Sequence, residues 1–205
     1  LSDYLEQGVH SEQRTGESAE DTGVRTVKGY GVTRLYCSAM HRALLTALPI
    51  GKALNLNPEV WVDIHEGGGI FLDYHDDRGI VGFPGKTRGK ILQEFPHYIL
   101  PSDVTDGGWW DVNRGMEDTP ECLGRAIRVA RQLRLWADTD EHIAIVSHAG
   151  FLNVLIKALV NQLPGPDLTY HHSNTAMTCI DFKPDQKIGI RYLNRVDHLS
   201  QDTVS

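Results

Sequence analysis

The sequence predicts a layered α/β fold with a largely parallel central sheet. Three observations carry this: short β-rich runs alternate with stretches of helical period, one run is apolar almost throughout, and two runs pass straight into a helix. Thr33 to Cys37 (TRLYC) and Glu59 to Ile64 (EVWVDI) are the first two strands. His142 to Ser147 (HIAIVS) is the apolar run, patterned as a strand covered on both faces. Ala176 to Phe182 and Lys187 to Tyr192 flank Lys183-Pro184-Asp185-Gln186, whose Pro-Asp supplies the turn of an antiparallel hairpin.

Helices fill the intervals. The spacing predicts one over His41 to Leu54, interrupted or kinked near Pro49, and another over Gly150 to Leu163. Thr119-Pro120-Glu121 starts a third with a hydroxyl N-cap, a proline whose missing N–H costs nothing, and a carboxylate at the positive end of the dipole. In that helix Leu123, Ile127, Ala130 and Ala137 form the apolar stripe, and Arg125, Arg128, Arg131 and Arg134 lie off it as a solvated face. Between Gly67 and Gly115 the texture changes. Half of the twenty glycines fall there, with Pro84, Pro96, Pro101 and Trp109-Trp110, so a functional loop, a lid or a packed insertion is expected, carrying one short helix around Lys86 to Phe95. Its tryptophans either close over a bulky organic group or act as packing anchors.

At 205 residues and 22.9 kDa the chain suits one domain, residues 1–205, with the 67–115 stretch as its insertion. A net charge of −7 argues against a general nucleic-acid or anionic-membrane binder. The most apolar stretch, Phe151 to Val160, carries Asn153 and Lys157 and is too short to span a bilayer. Cys37, Cys122 and Cys179 are odd in number and far apart, which predicts reduced thiols and a cytoplasmic protein. The chain opens on Leu1 with neither an initiator Met nor a signal peptide, so its beginning is expected to be missing.

Chemistry gathers at three strand ends. The apolar strand ends in Ser147-His148-Ala149-Gly150 and runs into a helix, whose free N–H groups are suited to an anion at the carboxyl edge of the sheet. Arg42, in the first turn of the helix after Cys37-Ser38, can present a planar fork of donors to phosphate from the same edge. The strand at 59–64 ends in His65-Glu66 before three glycines, and a carboxyl there can hold a proton for a leaving oxygen. Taken singly, each has an ordinary alternative: a strand-end hydrogen bond, an exposed helix cation, a solvated turn. Together they suit phosphoryl transfer.

These residues resemble the histidine phosphatase superfamily, also called the phosphoglycerate mutase-like family. The S-x-x-x-R-A-x-x-T-A motif matches Ser38, Arg42, Ala43, Thr46 and Ala47, and S-H-x-G matches Ser147, His148 and Gly150. E-x-x-G resembles Glu66 and Gly69, N-T-x-x-T resembles Asn174, Thr175 and Thr178, and Leu5-Glu6-x-Gly8 with Gln13 resembles the element opening the family's first helix. The resemblance implies a three-layer α/β/α sandwich and a phosphomonoester phosphatase working through a phosphohistidine, without metal or other cofactor, on a phosphorylated small molecule. By it, Arg42, His148 and the backbone at Ala149 bind the phosphoryl group, His148 also stabilises charge in transfer, Glu66 is the general acid, and Ser38 and Asn174 line the substrate.

The family's nucleophile comes from an R-H-G motif ending the first strand, and this chain contains none. Arg14-Thr15-Gly16 imitates it with Thr for His, and His10 has no preceding arginine. The nucleophile strand is therefore expected before Leu1, in a truncated phosphatase or mutase, unless the protein is a catalytically inactive relative that binds phosphorylated ligands. A metalloenzyme is a third class suggested by ten histidines, but His65-Glu66 never completes H-E-x-x-H.

Overall fold

A computed structural model describes residues 30–163, 165–183, 185, 187–200 and 204. The Leu5–Gly8 element, His10 and Arg14-Thr15-Gly16 lie outside the described residues, as do Pro184 and Gln186 of the predicted turn. The fold is α/β with a parallel sheet, as predicted. Its three central strands are β1 (Arg34–Cys37), β2 (Glu59–Val60) and β5 (Ile143–Val146), in the order β2-β1-β5, with Cys37 opposite both Val60 and Val146. Parallel neighbours require crossovers. Helix α1 (His41–Leu54) follows β1, helix α3 (Thr119–Leu135) precedes β5, and α4 (Ala149–Leu159) follows it.

Alternation along β1 separates two cores, because successive side chains leave a strand on opposite faces. Cys37 joins Leu44 and Ala47 of α1, Val60, Ile91, Phe95, Trp109 and Trp110 on one side. Tyr36 joins Ile64, Ala126, Val129 and Leu133 of α3, and Phe151 and Leu155 of α4 on the other. These are the outer layers of the sandwich. A separate antiparallel hairpin, β6 (Met177–Phe182) and β7 (Ile188–Arg195), completes the predicted strands.

Several local expectations are corrected. The run at 59–64 is a strand only at Glu59–Val60; Ile64 N then donates to Trp61 O at 3.3 Å and His65 N to Val62 O at 3.2 Å, closing a 3-10 turn at Val62–Ile64. Pairing stops there because the backbone amides turn back on their own chain. Helix α1 continues through Pro49 as one element, with Ala43, Leu44, Ala47 and Ile50 buried on both sides of the proline, and Asn55 ends it in the left-handed conformation at φ 53°. The N-cap of α3 is Asp118 rather than Thr119: its carboxylate accepts from Glu121 N at 2.8 Å while Glu121 Oε2 accepts from Asp118 N at 3.2 Å, a reciprocal capping box. The predicted stripe of α3 is rotated by about one residue. Cys122, Arg125, Ala126, Val129, Ala130 and Leu133 are buried, whereas Ile127 is 52% exposed. All four residues of β5 are half-buried rather than fully covered, and among the described residues β1 is the one strand paired with it.

The glycine-rich stretch contains the small antiparallel pair β3 (Phe71–Asp73) and β4 (Ile80–Gly82) and the predicted short helix, α2 (Arg88–Glu94). Trp109 and Trp110 anchor it in the first core. Gly69, at φ 73°, is required by that packing, since a Cβ there would lie 2.3 Å from the Trp110 ring, whereas a Cβ at Gly79, φ 58°, meets nothing within 4 Å. Gly79→Ala is expected to cost about 1–2 kcal/mol of left-handed strain. Gly69→Ala adds roughly 1–3 kcal/mol of overpacking to a similar strain; urea denaturation of the two variants should show the larger midpoint loss at Gly69.

Candidate active site

The carboxyl ends of β1 and β5 deliver Ser38 and His148 side by side, and α1 begins three residues after Ser38 with His41 and Arg42. His148 Nε2 lies 2.9 Å from Ser38 Oγ, and Arg42 Nε donates to His148 Nδ1 at 3.0 Å. A guanidinium can only donate, so Nδ1 must be the unprotonated nitrogen and Nε2–H must point at Ser38. Ser38, fully buried, also accepts from Met40 N at 3.2 Å and so holds the ring from behind. Burial, reinforced by the Arg42 charge, pushes the His148 imidazole down to about 3. It is neutral in this arrangement. Arg42 is exposed, and its two terminal amino groups have no protein hydrogen-bond partner among the described residues.

Glu66 reaches the same end of the sheet from the second strand. Its carboxylate sits on the start of α4, accepting from Phe151 N at 2.8 Å and Gly150 N at 3.4 Å, and from its own neighbour Gly67 N at 2.9 Å. The first turn of a helix has amides without internal partners, and here the protein's own acid takes two of them. Gly150 makes the approach possible, since a Cβ there would lie 2.6 Å from Glu66 Oε1. The glycines after Glu66 form a tight turn, with Gly69 N donating to Glu66 O at 3.2 Å and Gly68 at φ 89°.

A buried ion pair lies beneath this acid. Arg125 Nε and Nη2 donate to Glu117 Oε1 and Oε2 at 2.8 and 2.6 Å, and Arg125 Nη1 donates to the carbonyls of Asp63 and His65, both at 2.8 Å. The carbonyl between those two, of Ile64, receives the Ser147 hydroxyl at 2.7 Å. Arg125 was expected on the solvated face and is instead 2% exposed, because the carboxylate and carbonyls that answer it lie inside. Arg128 and Arg131 are exposed as expected. His65 donates from Nδ1 to Val62 O at 2.7 Å, while its buried Nε2 has no hydrogen-bond partner among the described residues and lies 3.8 Å from Glu117 Oε2. Burial first, and the Arg125 charge next, push this imidazole down to about 4.

The fold thus brings Ser38, Arg42, Glu66, His148 and the Ala149 backbone to one edge. Asn174 lies in the exposed segment ahead of β6 and takes no part in the hydrogen bonds just described. A profile of the histidine phosphatase superfamily (branch 1) matches residues 13–195. The chain belongs to that family. Solved structures of similar fold include a mycobacterial glucosyl-3-phosphoglycerate phosphatase in complex with VO3, at 18% identity and a TM-score of 0.50 over 82% of this chain and 78% of that one. They also include mycobacterial hydrolase 1, at 19% identity and a TM-score of 0.50 over 80% and 76% of the two chains. A third is the ecdysone phosphate phosphatase of Bombyx mori with tungstate, at 14% identity and a TM-score of 0.51 over 84% and 67%. No curated protein matches the chain. In this histidine phosphatase-family chain, the structure brings Arg42, His148 and Glu66, singled out by motif spacing, to one end of the sheet, and places beneath them Arg125 and Glu117, which motif spacing did not mark. The one available signal was that Arg125 keeps helical register with Cys122, Ala126 and Val129.

Two predictions follow from the geometry. His65 and His148 are neutral in the fold but would titrate near 6.5 in the unfolded chain, which therefore takes up protons first. Their contribution to stability is complete above about pH 6.5 and is lost as pH falls toward 4; urea midpoints should drop between pH 7 and 5, and His65→Asn should flatten that slope. Gly150→Ala should keep the melting temperature, because alanine favours a helix, yet displace Glu66; loss of Phe151 amide protection in NMR exchange would register the displacement.

Proposed function

We propose that this protein is a phosphatase-type enzyme acting on phosphate monoesters of small molecules through a phosphohistidine. Arg42 holds the phosphoryl oxygens with the Ala149 amide as a further donor, His148 joins them when the bound dianion brings a proton to its Nδ1, and Glu66 protonates the leaving oxygen. Asn174 is a substrate-side group, and Ser38 acts through the His148 ring it holds. The observation that carries this is Arg42: fixed through Nε on His148, it offers two amino groups unengaged among the described residues at the carboxyl edge of a parallel sheet, beside an acid seated on a helix start.

In the proposed reaction an imidazole attacks phosphorus, the ester P–O bond breaks, and the leaving oxygen takes the Glu66 proton. Water then attacks phosphorus as the P–N bond breaks and the imidazole leaves, the water's proton passes to Glu66, and phosphate is released. Fixed cations and donors around the transferring group supply the rate. No metal or other cofactor enters this scheme. The attacking imidazole is not assigned to any of residues 1–205, whose sequence contains no Arg-His-Gly. That missing motif favours a second reading for the chain as it stands, a binder of phosphorylated ligands without turnover. The three free cysteines, two of them buried, fit a reducing cytoplasm.

Vanadate, a tetrahedral oxyanion, tests the site without requiring chemistry. Residues 1–205 should bind it weakly, and Arg42→Ala should weaken binding at least about tenfold, the cost of a lost charge-assisted pair. Equal vanadate affinity in the variant and the parent would remove Arg42 from the site. The same chain should show no substantial hydrolysis of an aryl phosphate. Robust turnover with a trapped phosphohistidine would place a nucleophile within it, His10 being the first residue to test. In a form that does turn over, Arg42→Ala and His148→Ala should each lower kcat roughly a hundredfold or more with an unchanged circular dichroism spectrum.

A further inference from the structure

Three consecutive backbone carbonyls precede Glu66, and each is held by a side chain from another element. Arg125 of α3 takes those of Asp63 and His65, and Ser147, just beyond β5, takes that of Ile64. On the far side of Glu66, Glu117 N donates to Gly68 O at 2.9 Å, and the Glu117 carboxylate grips Arg125 by both of its oxygens. The same guanidinium lies over the ring of Phe151, with Cζ 4.3 Å from its centroid, and Phe151 is the residue whose amide holds the Glu66 carboxylate. Arg125 therefore touches both ends of the acid's support: the backbone that carries Glu66 and the helix turn on which its carboxylate rests.

We propose that Arg125, locked by Glu117, is a positioning residue for Glu66, fixing the acid against the start of α4. The proposal rests on the assignment of Glu66 as the proton donor to the leaving oxygen. This 2% exposed guanidinium is held by four hydrogen bonds to oxygen, and its planar fork fits a carboxylate and two carbonyls at once. A lysine cannot reproduce that fork. The acid's carboxylate would then be free to drift from the helix start, and proton transfer depends steeply on such placement.

The test uses the full-length protein with two substrates. 2,4-Dinitrophenyl phosphate has a leaving group that departs without a proton, and phenyl phosphate has one that needs it. Arg125→Lys should lower kcat on phenyl phosphate about tenfold or more, with KM little changed and less than about a twofold effect on the dinitrophenyl ester. Glu66→Gln should show the same leaving-group pattern, more strongly. If Glu66→Gln shows it and Arg125→Lys lowers both substrates equally, the positioning role is overturned and the acid assignment stands; if Glu66→Gln lacks it, the acid assignment fails and takes the positioning role with it. Amide exchange reads the same placement without turnover. Arg125→Lys should speed exchange at Gly67 and Phe151 while Leu155 and Ile156, deeper in α4, keep their protection. Unchanged rates at the first pair, or uniform acceleration along α4, would overturn the proposal. Should Arg125→Lys fail to fold, Glu117→Gln, which leaves the arginine in place but weakens its lock, is held to the same outcomes.

Discussion

A guanidinium removed from water has to have its N–H groups answered by the protein, since an uncompensated buried charge costs several kcal/mol. Arg125 is that group here, and its answers come from four separate places: the segment ahead of α3, the 3-10 turn after β2, the residue before Glu66, and the ring of Phe151. Those demands fix how α3 is rotated. They bring Cys122, Ala126, Val129 and Leu133 to the sheet and turn Ile127 outward, where a purely apolar reckoning would not have left it. They also hold the 3-10 turn after β2 in place by its carbonyls, while its amides turn back on their own chain.

The two halves of the site are built on different principles. Arg42, His148 and Ser38 form a chain of directional hydrogen bonds in which each donor has one acceptor, so the orientation of the imidazole is dictated by neighbours that cannot exchange roles. Glu66 is instead seated on the amides of a helix start, where a carboxylate and a backbone dipole favour each other. The first half leaves cationic capacity facing outward. The second keeps an acid within the same turn of α4. Gly150 is common to both, because it follows the histidine by two residues and leaves room for the carboxylate.

Residues that act through local spacing were legible in the sequence. Ser38 and Arg42 lie four apart on a strand-to-helix junction, and His148 and Gly150 stand two apart on another, so the motif and the geometry are the same information. Arg125 was not legible for the opposite reason. It stands in a series with Arg128, Arg131 and Arg134 at equal spacing, and its register with Cys122, Ala126 and Val129 is the one local mark that sets it apart. Its partners are Glu117, eight positions back, and carbonyls about sixty positions away. The strand at 59–64 failed similarly: β-branched and aromatic residues predicted extension, but the turn is decided by what its carbonyls meet in three dimensions. Trp109 and Trp110 had two readings open, and their burial beside Leu44 and Phe95 settles them as packing anchors. The helix cap moved by one residue because Asp118 has a matching Glu121 at the capping-box spacing, which Thr119 lacks.

The tautomer of His148 also governs how the protein responds to reagents that acylate imidazoles. Such reagents need an exposed nitrogen lone pair, and the lone pair of His148 is covered by the Nε–H of Arg42 while its other nitrogen carries the proton. Exposed histidines, among them His75 with its side chain 84% exposed, are open to the reagent, so early histidine labelling reports the surface and not the site. His148 is silent to such a reagent whether the site is empty or filled, since a bound oxyanion only adds to what covers the ring, and protection against acylation therefore does not diagnose occupancy here.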